Sequence, residues 1–147
     1  MFRGRYEHTI DAKGRTSLPA RYRDALAGMG ERRIVLTNAL DKCLNAYAMP
    51  KWTEFEDKIA KLPRFDPAVQ QLKRIYVSGA VECEIDESGR ILIPPTLRDY
   101  AGLTKDVLWA GSGEYAELWD KATWQTQFEI GDDARRAIAS RLAELGL

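Results

Sequence analysis

The feature that most constrains how this 147-residue chain can fold is an internal repeat. Residues 2–26 align with residues 77–101 at a constant offset of 75 positions, and nine of the 25 aligned pairs are identical. Only about one or two identities would arise by chance in chains of ordinary composition. The identical pairs are Gly4/Gly79, Glu7/Glu82, Ile10/Ile85, Asp11/Asp86, Gly14/Gly89, Arg15/Arg90, Pro19/Pro94, Arg23/Arg98 and Asp24/Asp99. The chain therefore contains the same structural unit twice.

Each copy predicts a β-hairpin, a short helix and two further strands. In the first copy the alternation of residues 5–10 predicts a strand, residues 11–14 a turn, and residues 15–18 a second strand. A helix over residues 19–27 follows, with Gly28 as its predicted C-terminal cap. In the second copy the corresponding strands are residues 81–85 and 90–93, and the helix is residues 95–101 with Gly102 as its stop. The later strands are predicted over residues 33–37, 43–47, 107–110 and 115–119.

Longer helices are predicted between and after the copies. Apolar residues spaced three or four apart indicate helices over residues 50–62 and 132–147, and Asp66 before Pro67 is a typical helix start. We predict a mostly β fold with flanking helices, of the α+β class, that packs as one body. The predicted parts are a first unit over 1–52, a helical connector over 53–76, a second unit over 77–124 and a C-terminal helix over 125–147.

Composition and charge narrow the class of protein. The chain is 45% hydrophobic and 30% charged, which is typical of a globular protein. The longest stretch without a charged residue has eight residues, and a membrane helix needs about 20 apolar ones. With no signal-peptide pattern either, we expect a cytoplasmic protein in which Cys43 and Cys83 are free, partly buried thiols. Net charge is zero, but residues 1–33 carry +4, residues 34–76 carry +2 and residues 77–147 carry −6. This asymmetry favours a polyanion as the partner of the first copy.

The residues needed for catalysis or metal binding are scarce. His8 is the single histidine, so the chain has no second imidazole for a triad or a histidine-rich metal site. No phosphate-binding glycine motif is present. The four tryptophans could form an aromatic platform for bases or sugars, but packing in the core explains them better. We expect no enzyme activity, no cofactor, no metal and no small-molecule ligand.

The duplicated D-x-x-G-R turn is the strongest candidate for a binding site. In the first copy Lys13 and Arg15 project from a hairpin tip, and Arg3, Arg5, Arg21 and Arg23 lie nearby in sequence. Arginine on a two-stranded ribbon can bind guanine in the major groove or grip phosphates. In the second copy Glu87 and Ser88 replace Ala12 and Lys13, which weakens the positive field. The alternative is that each arginine pairs with the aspartate of its own turn and only locks the hairpin.

At these residues the chain resembles a known family. The opening F-R-G-R-Y-E-H-T-I-D-A-K-G-R-T-S-L-P-A-R-Y-R and the later D-E-S-G-R-I-L-I-P-P-T-L-R-D-Y-A-G-L closely resemble the MraZ family of bacterial transcriptional regulators, within the AbrB-like (SpoVT-AbrB) superfamily. The resemblance covers nearly the whole chain. It implies two swapped-hairpin units that form a double-split β-barrel, and a homo-oligomeric ring, commonly octameric.

The resemblance also implies a function. Such proteins bind direct repeats in double-stranded DNA upstream of the division and cell-wall gene cluster, which includes their own gene, and act there mostly as repressors. This implies a nucleoid-associated protein with Arg15 and Lys13 as the main DNA contacts. The predicted DNA-binding residues are Arg15, Lys13, Arg3, Arg5 and Arg90, and the predicted structural turn residues are Asp11, Gly14, Asp86 and Gly89. The alternative hypothesis is an oligomeric AbrB-like scaffold or interaction protein that does not bind DNA.

Overall fold

The structure, a computed structural model, describes residues 1–147 as an α+β fold with eight strands and six helices. The strands are β1 (Arg5–Thr9), β2 (Arg15–Ser17), β3 (Arg33–Asn38), β4 (Leu44–Ala48), β5 (Val81–Glu84), β6 (Arg90–Leu92), β7 (Asp106–Gly111) and β8 (Tyr115–Asp120). The helices are α1 (Ala20–Gly28), α2 (Met49–Ala60), α3 (Pro67–Leu72), α4 (Pro95–Ala101), α5 (Lys121–Phe128) and α6 (Asp132–Glu144). A π-helical turn over Lys73–Val77 continues α3. The predicted order of two strands, a helix and two strands is confirmed in both copies.

The two copies interleave instead of forming separate domains. Six strands form one antiparallel sheet in the order β1-β7-β8-β4-β3-β5, and β2 and β6 form a separate two-stranded ladder. The pairs β1–β7, β4–β8, β3–β5 and β2–β6 each join a strand of one copy to a strand of the other. Each hairpin of the sequence therefore finds part of its hydrogen-bonding partners in the other half of the chain.

A local two-fold relationship centres on the β2–β6 ladder. Thr16 lies opposite Ile91, and these two residues also occupy equivalent positions in the repeat. Arg15 consequently lies opposite Leu92, and Ser17 lies opposite Arg90. Trp109 ties the ladder to the sheet, because its Nε1 donates a hydrogen bond to the Ser17 carbonyl at 3.2 Å.

The main core draws on both copies and holds 19 buried residues. Trp109 is fully buried there, Trp52 of α2 packs in an aromatic cluster with Tyr47 and Tyr76, and Trp119 is buried against Cys43. The core prediction is confirmed for these three tryptophans, whereas Trp124 is half-buried and stacks on Phe128. Both cysteines are buried free thiols, and burial raises the pKa of Cys83 to about 11. None of the helices has the length and apolarity required to cross a bilayer.

Two details of the helices differ from the prediction. Gly28 is the last residue of α1 and not its cap; the left-handed residue that follows the helix is Gly30, with φ of +68°. Gly102 does cap α4, with φ of +60°. The C-terminal helix predicted over residues 132–147 is present as α6, whereas residues 125–128 of the predicted C-terminal part, 125–147, belong to α5. The break between these two helices follows from Gly131, which has an extended backbone just before the first residue of α6.

Candidate nucleic-acid interface

The first hairpin tip, residues 11–14, is called turn 1 and is held together by one carboxylate. Asp11 Oδ1 accepts hydrogen bonds from the backbone N–H groups of Lys13 at 3.0 Å and Arg15 at 2.9 Å. Asp11 Oδ2 accepts from Arg15 Nε at 2.8 Å. Gly14 closes the turn by donating its N–H to the Asp11 carbonyl and has φ of +90°. These bonds fix the direction in which the Arg15 side chain leaves the strand.

The equivalent tip in the second copy, residues 86–89, is called turn 2 and has the same bonding pattern. Asp86 Oδ1 accepts from the N–H groups of Ser88 and Arg90, and its Oδ2 accepts from Arg90 Nε at 3.2 Å. Each arginine thus pairs with the aspartate of its own turn, as the structural alternative predicted. That pairing occupies only Nε. Neither Nη atom of Arg15 or Arg90 has a hydrogen-bond partner in the protein, so both arginines keep donors for a ligand.

The ladder presents both arginines on one face. Thr16 and Ile91 point into the core, and each is 1% exposed. Because side chains alternate along a strand, the four neighbouring ladder residues face the other way. This outer face of the ladder, which we call the ladder face, consists of Arg15, Ser17, Arg90 and Leu92. The sequence treated the two arginines as belonging to separate tips, whereas the structure places them diagonally across one small surface.

Helix arginines cover the turns in a swapped arrangement. Arg98, from α4 of the second copy, lies against turn 1: a Cβ atom on Gly14 would be 2.7 Å from Arg98 Cζ. Arg98 Nε also donates a hydrogen bond to the Ile93 carbonyl at 3.1 Å. At turn 2 the equivalent Arg23 lies against Gly89. The sequence analysis counted Arg23 among the cations of the first copy, and the structure places its side chain at turn 2. The sequence analysis did not include Arg98, which is the third cation at turn 1.

The two turns differ in charge. Turn 1 brings together Lys13, Arg15 and Arg98 around the single carboxylate of Asp11. Turn 2 borders a surface depression whose charged lining residues are Arg23, Glu31, Arg32, Asp86 and Glu87. Cations outnumber carboxylates at turn 1 and do not at turn 2. The structure thus gives a physical basis for expecting a polyanion at the first tip.

The remaining predicted cations lie elsewhere. Arg5 is at the opposite end of β1 from turn 1, opposite Ala110, and its guanidinium lies over the Phe128 ring at 4.7 Å from the centroid. Arg3 is exposed beside the start of α1, where it lines a shallow depression with Arg21. The structure does not bring Arg3 or Arg5 together with turn 1, and their contact with DNA stays a prediction.

The pKa shifts of Asp11, Asp86 and His8 follow from the contacts around the two turns. Backbone hydrogen bonds from Arg15 and Arg90 hold the pKa values of Asp11 and Asp86 below the ordinary aspartate value, so both turns carry ionised carboxylates at neutral pH. Burial, and then the nearby Arg23 charge, lower the pKa of His8. His8 is therefore neutral at pH 7 and adds no cation to the site.

Comparisons with known proteins match both copies. The family model described as "MraZ protein, putative antitoxin-like" matches residues 1–75 and again residues 76–144. The chain is 42% identical over 147 residues to the "Transcriptional regulator MraZ" of Acetivibrio thermocellus, with 100% of both chains covered. It is 43% identical over 147 residues to the protein of that name from Desulfitobacterium hafniense, again with 100% of both covered. It is 48% identical over 124 residues to that of Thioalkalivibrio sulfidiphilus, covering 84% of this chain and 83% of the relative. With both copies matched and full-length relatives above 40% identity, this chain belongs to the MraZ family.

Proposed function

We propose that this protein is a transcriptional regulator that binds double-stranded DNA through turn 1 and the adjoining ladder face. The observation that carries the proposal is the cluster of Lys13, Arg15 and Arg98 around a rigid turn. The relatives reported above are named as transcriptional regulators, which supports the same function.

The chemistry of each cation suggests its role. Arg15 is held by Asp11 through Nε, and its free Nη atoms can bind guanine O6 and N7 or a phosphate. A two-stranded ladder has the width to enter the major groove, which places Arg15 near base edges. Lys13, exposed in the turn, and Arg98, beside it, would bind the flanking phosphates.

The second copy contributes less to DNA binding. Arg90 shares the ladder face with Arg15 but lies at the turn 2 end, next to the carboxylates of Asp86 and Glu87. Those carboxylates repel phosphates, so we propose that Arg90 mainly maintains turn 2.

The same proposal extends to the closure of the barrel and to the assembly of subunits. The Ile10–Thr16 bridge joins β1 to β2, and the β2–β6 ladder links hairpins whose other strands, β1 and β5, are the two edges of the sheet. This supports closure into a double-split β-barrel. Self-assembly into a homo-oligomeric ring, of eight subunits by family resemblance, would repeat turn 1 around the assembly. Several tips on spaced DNA repeats then supply affinity that one tip on a chain of zero net charge could not.

The proposed targets come from the family resemblance. We propose that the protein represses the division and cell-wall gene cluster, including its own gene, by binding direct repeats upstream, and that it is associated with the nucleoid.

The test is fluorescence anisotropy with the DNA upstream of the protein's own gene, against a scrambled fragment of equal length, over a salt series. We expect tight binding to the upstream fragment that weakens steeply with salt. Arg15→Ala should weaken this binding by about tenfold or more for each repeat bound, the cost of one good base contact. Lys13→Ala and Arg98→Ala should each lower the salt slope by about 0.9 per bound subunit.

Arg90→Ala is the matched control, because Arg90 makes the same bonds to its own turn and is similarly exposed. It should retain most of the specific binding, while thermal unfolding and light scattering show both variants folded and assembled like the wild type. Equal or absent binding of the wild type to both fragments at moderate salt would overturn the proposal and favour the scaffold hypothesis. Arg3→Ala and Arg5→Ala in the same assay test the remaining predicted contacts.

A further inference from the structure

An exposed leucine lies in the middle of the proposed DNA-binding surface. Leu92, on β6, is 56% exposed and is the direct cross-strand partner of Arg15. It is the one apolar residue of the ladder face, whose other members are Arg15, Ser17 and Arg90. No other part of the chain covers it. The core beneath is already filled by Thr16 and Ile91, so packing within the chain gives no reason for leucine at this position.

The repeat shows that the fold does not require leucine here. The equivalent residue of the first copy is Ser17, which lies opposite Arg90 in the same geometry. The two halves of the ladder face thus pair each arginine with a different neighbour, leucine beside Arg15 and serine beside Arg90. Leucine occurs at the end of the ladder where the cations gather, beside turn 1.

The surroundings of Leu92 limit what it can contact. A phosphate would be bound by the cations and gains nothing from an aliphatic side chain. In the major groove the apolar feature of a base edge is the C5-methyl group of thymine. Side chains of directly opposed residues on a ladder stand about 5 Å apart, a distance between one and two base-pair steps of roughly 3.4 Å each. Arg15 and Leu92 can therefore reach adjacent positions of one site.

We propose that Leu92 is a specificity-determining residue that contacts the C5-methyl group of a thymine next to the base contacted by Arg15. This inference rests on the proposed function and deepens it. It assigns to the second copy a part in reading the sequence, through its apolar side chain and not through its arginine.

The test replaces thymines of the upstream repeats one position at a time with deoxyuridine, which lacks only the methyl group, and measures binding by anisotropy. For the wild type we expect one thymine position in each repeat at which the replacement weakens binding, by about fourfold per bound repeat. Leu92→Ala should weaken binding to unmodified DNA by a similar or larger factor. At that same position Leu92→Ala should lose nothing further when thymine is replaced.

Two variants serve as controls. Leu92→Met keeps an apolar side chain of similar size and, unlike Leu92→Ala, should retain the preference for thymine over deoxyuridine. Leu40→Ala removes another exposed leucine, which lies outside the ladder face, and should leave that preference unchanged.

Several outcomes would overturn the inference. If Leu92→Ala retains the wild-type preference for thymine while the wild type still distinguishes upstream from scrambled DNA, Leu92 has no role in specificity and the proposed function stands. If the wild type does not distinguish the two fragments, the proposed function fails and this inference fails with it. If Leu92→Ala instead alters the mass of the assembly in light scattering, Leu92 is a subunit contact.

Discussion

At the scale of single residues, Gly14 determines whether the Arg98 side chain can pack against turn 1. Its φ is +90°, and a methyl group there would meet the Arg98 guanidinium at 2.7 Å. We expect Gly14→Ala to lower the free energy of unfolding by about 1–3 kcal/mol, the usual cost of a strained backbone. It should also weaken DNA binding, since Arg98 must move away. Urea unfolding and anisotropy measure the two effects.

Gly28→Ala is the control for this substitution. Gly28 ends α1 without positive φ, and its Cβ would meet open space. We expect this variant to be neutral or more stable, by up to about 1 kcal/mol, because alanine restricts the unfolded chain. Equal destabilisation by both substitutions would contradict the role assigned to Gly14.

The two turn aspartates should make stability depend on acid pH. Their pKa values in the folded protein lie below the ordinary value of 3.8, so the ionised form is favoured by folding. The resulting stabilisation is complete above that value and is lost as the pH falls through the lower, folded-state pKa values. We expect the urea midpoint of the wild type to be constant at higher pH and to fall as the pH drops below about 4.

The variant carrying both Asp11→Asn and Asp86→Asn is the comparison. It should have a lower midpoint at neutral pH and a flatter dependence on acid. Parallel curves for wild type and variant would show that other carboxylates dominate the acid transition.

The sequence predicted Asp11 and Gly14 as structural turn residues because turn chemistry is local. It could not place Arg98, whose position at turn 1 depends on a strand pairing between residues far apart in the chain. The repeat did carry a usable signal. Once the hairpins are expected to swap, Arg98 and its equivalent Arg23 must each lie beside the turn of the other copy.

At the scale of secondary-structure elements, the β2–β6 ladder has an unpaired polar group at its centre. Thr16 is 1% exposed, and its Oγ1 has no hydrogen-bond partner, whereas the equivalent residue of the other copy is Ile91. We expect Thr16→Val to raise the free energy of unfolding by about 1 kcal/mol, because the shape is kept and a buried hydroxyl is removed. Chemical denaturation measures the change.

Thr37→Val is the control for Thr16→Val, because the buried hydroxyl of Thr37 does have a hydrogen-bond partner. Thr37 is fully buried on β3, and its Oγ1 donates to the Tyr76 carbonyl. Valine there would leave that carbonyl unpaired, and we expect a loss of about 1–3 kcal/mol. If Thr16→Val destabilises the protein as much as Thr37→Val does, the Thr16 hydroxyl has a partner that this structure does not show.

Strands and most helices of this protein were predictable because each has a local pattern. α5 was not, since a single apolar pair at helical spacing, Trp124 and Phe128, is too short a pattern to predict a helix and none of its residues is buried. The repeat offered a clue here too, as residues 119–124 align with residues 47–52 at the start of α2. The end of α1 was misplaced because a glycine marks a helix stop only where the backbone turns left-handed, and that happens at Gly30.

At the scale of the whole molecule, α6 has no partner within the chain. None of its residues is buried, although Ile138, Leu142 and the following Leu145 form one apolar stripe. We expect this stripe to bury itself between subunits of the proposed ring. Ile138→Asp should therefore lower the assembly mass measured by light scattering. It should also weaken DNA binding, because a smaller assembly engages the DNA repeats through fewer tips.

Ser140→Asp adds the same charge on the opposite side of α6 and should leave the mass unchanged. An Ile138→Asp variant with the wild-type mass would show that α6 takes no part in assembly.

The interleaving of the two copies has a consequence for how the chain is made. β1 emerges from the ribosome about 100 residues before β7, its partner in the sheet. At usual synthesis rates about 5–20 s pass before β7 is made. During this time the hydrogen-bonding groups of β1 are unpaired and the apolar core residues of the first copy are exposed. Two neighbouring nascent chains on one messenger can exchange first halves in that interval, because the strands of each copy fit equivalent surfaces of the other. Slow translation between the copies should therefore favour entangled dimers over correctly closed monomers.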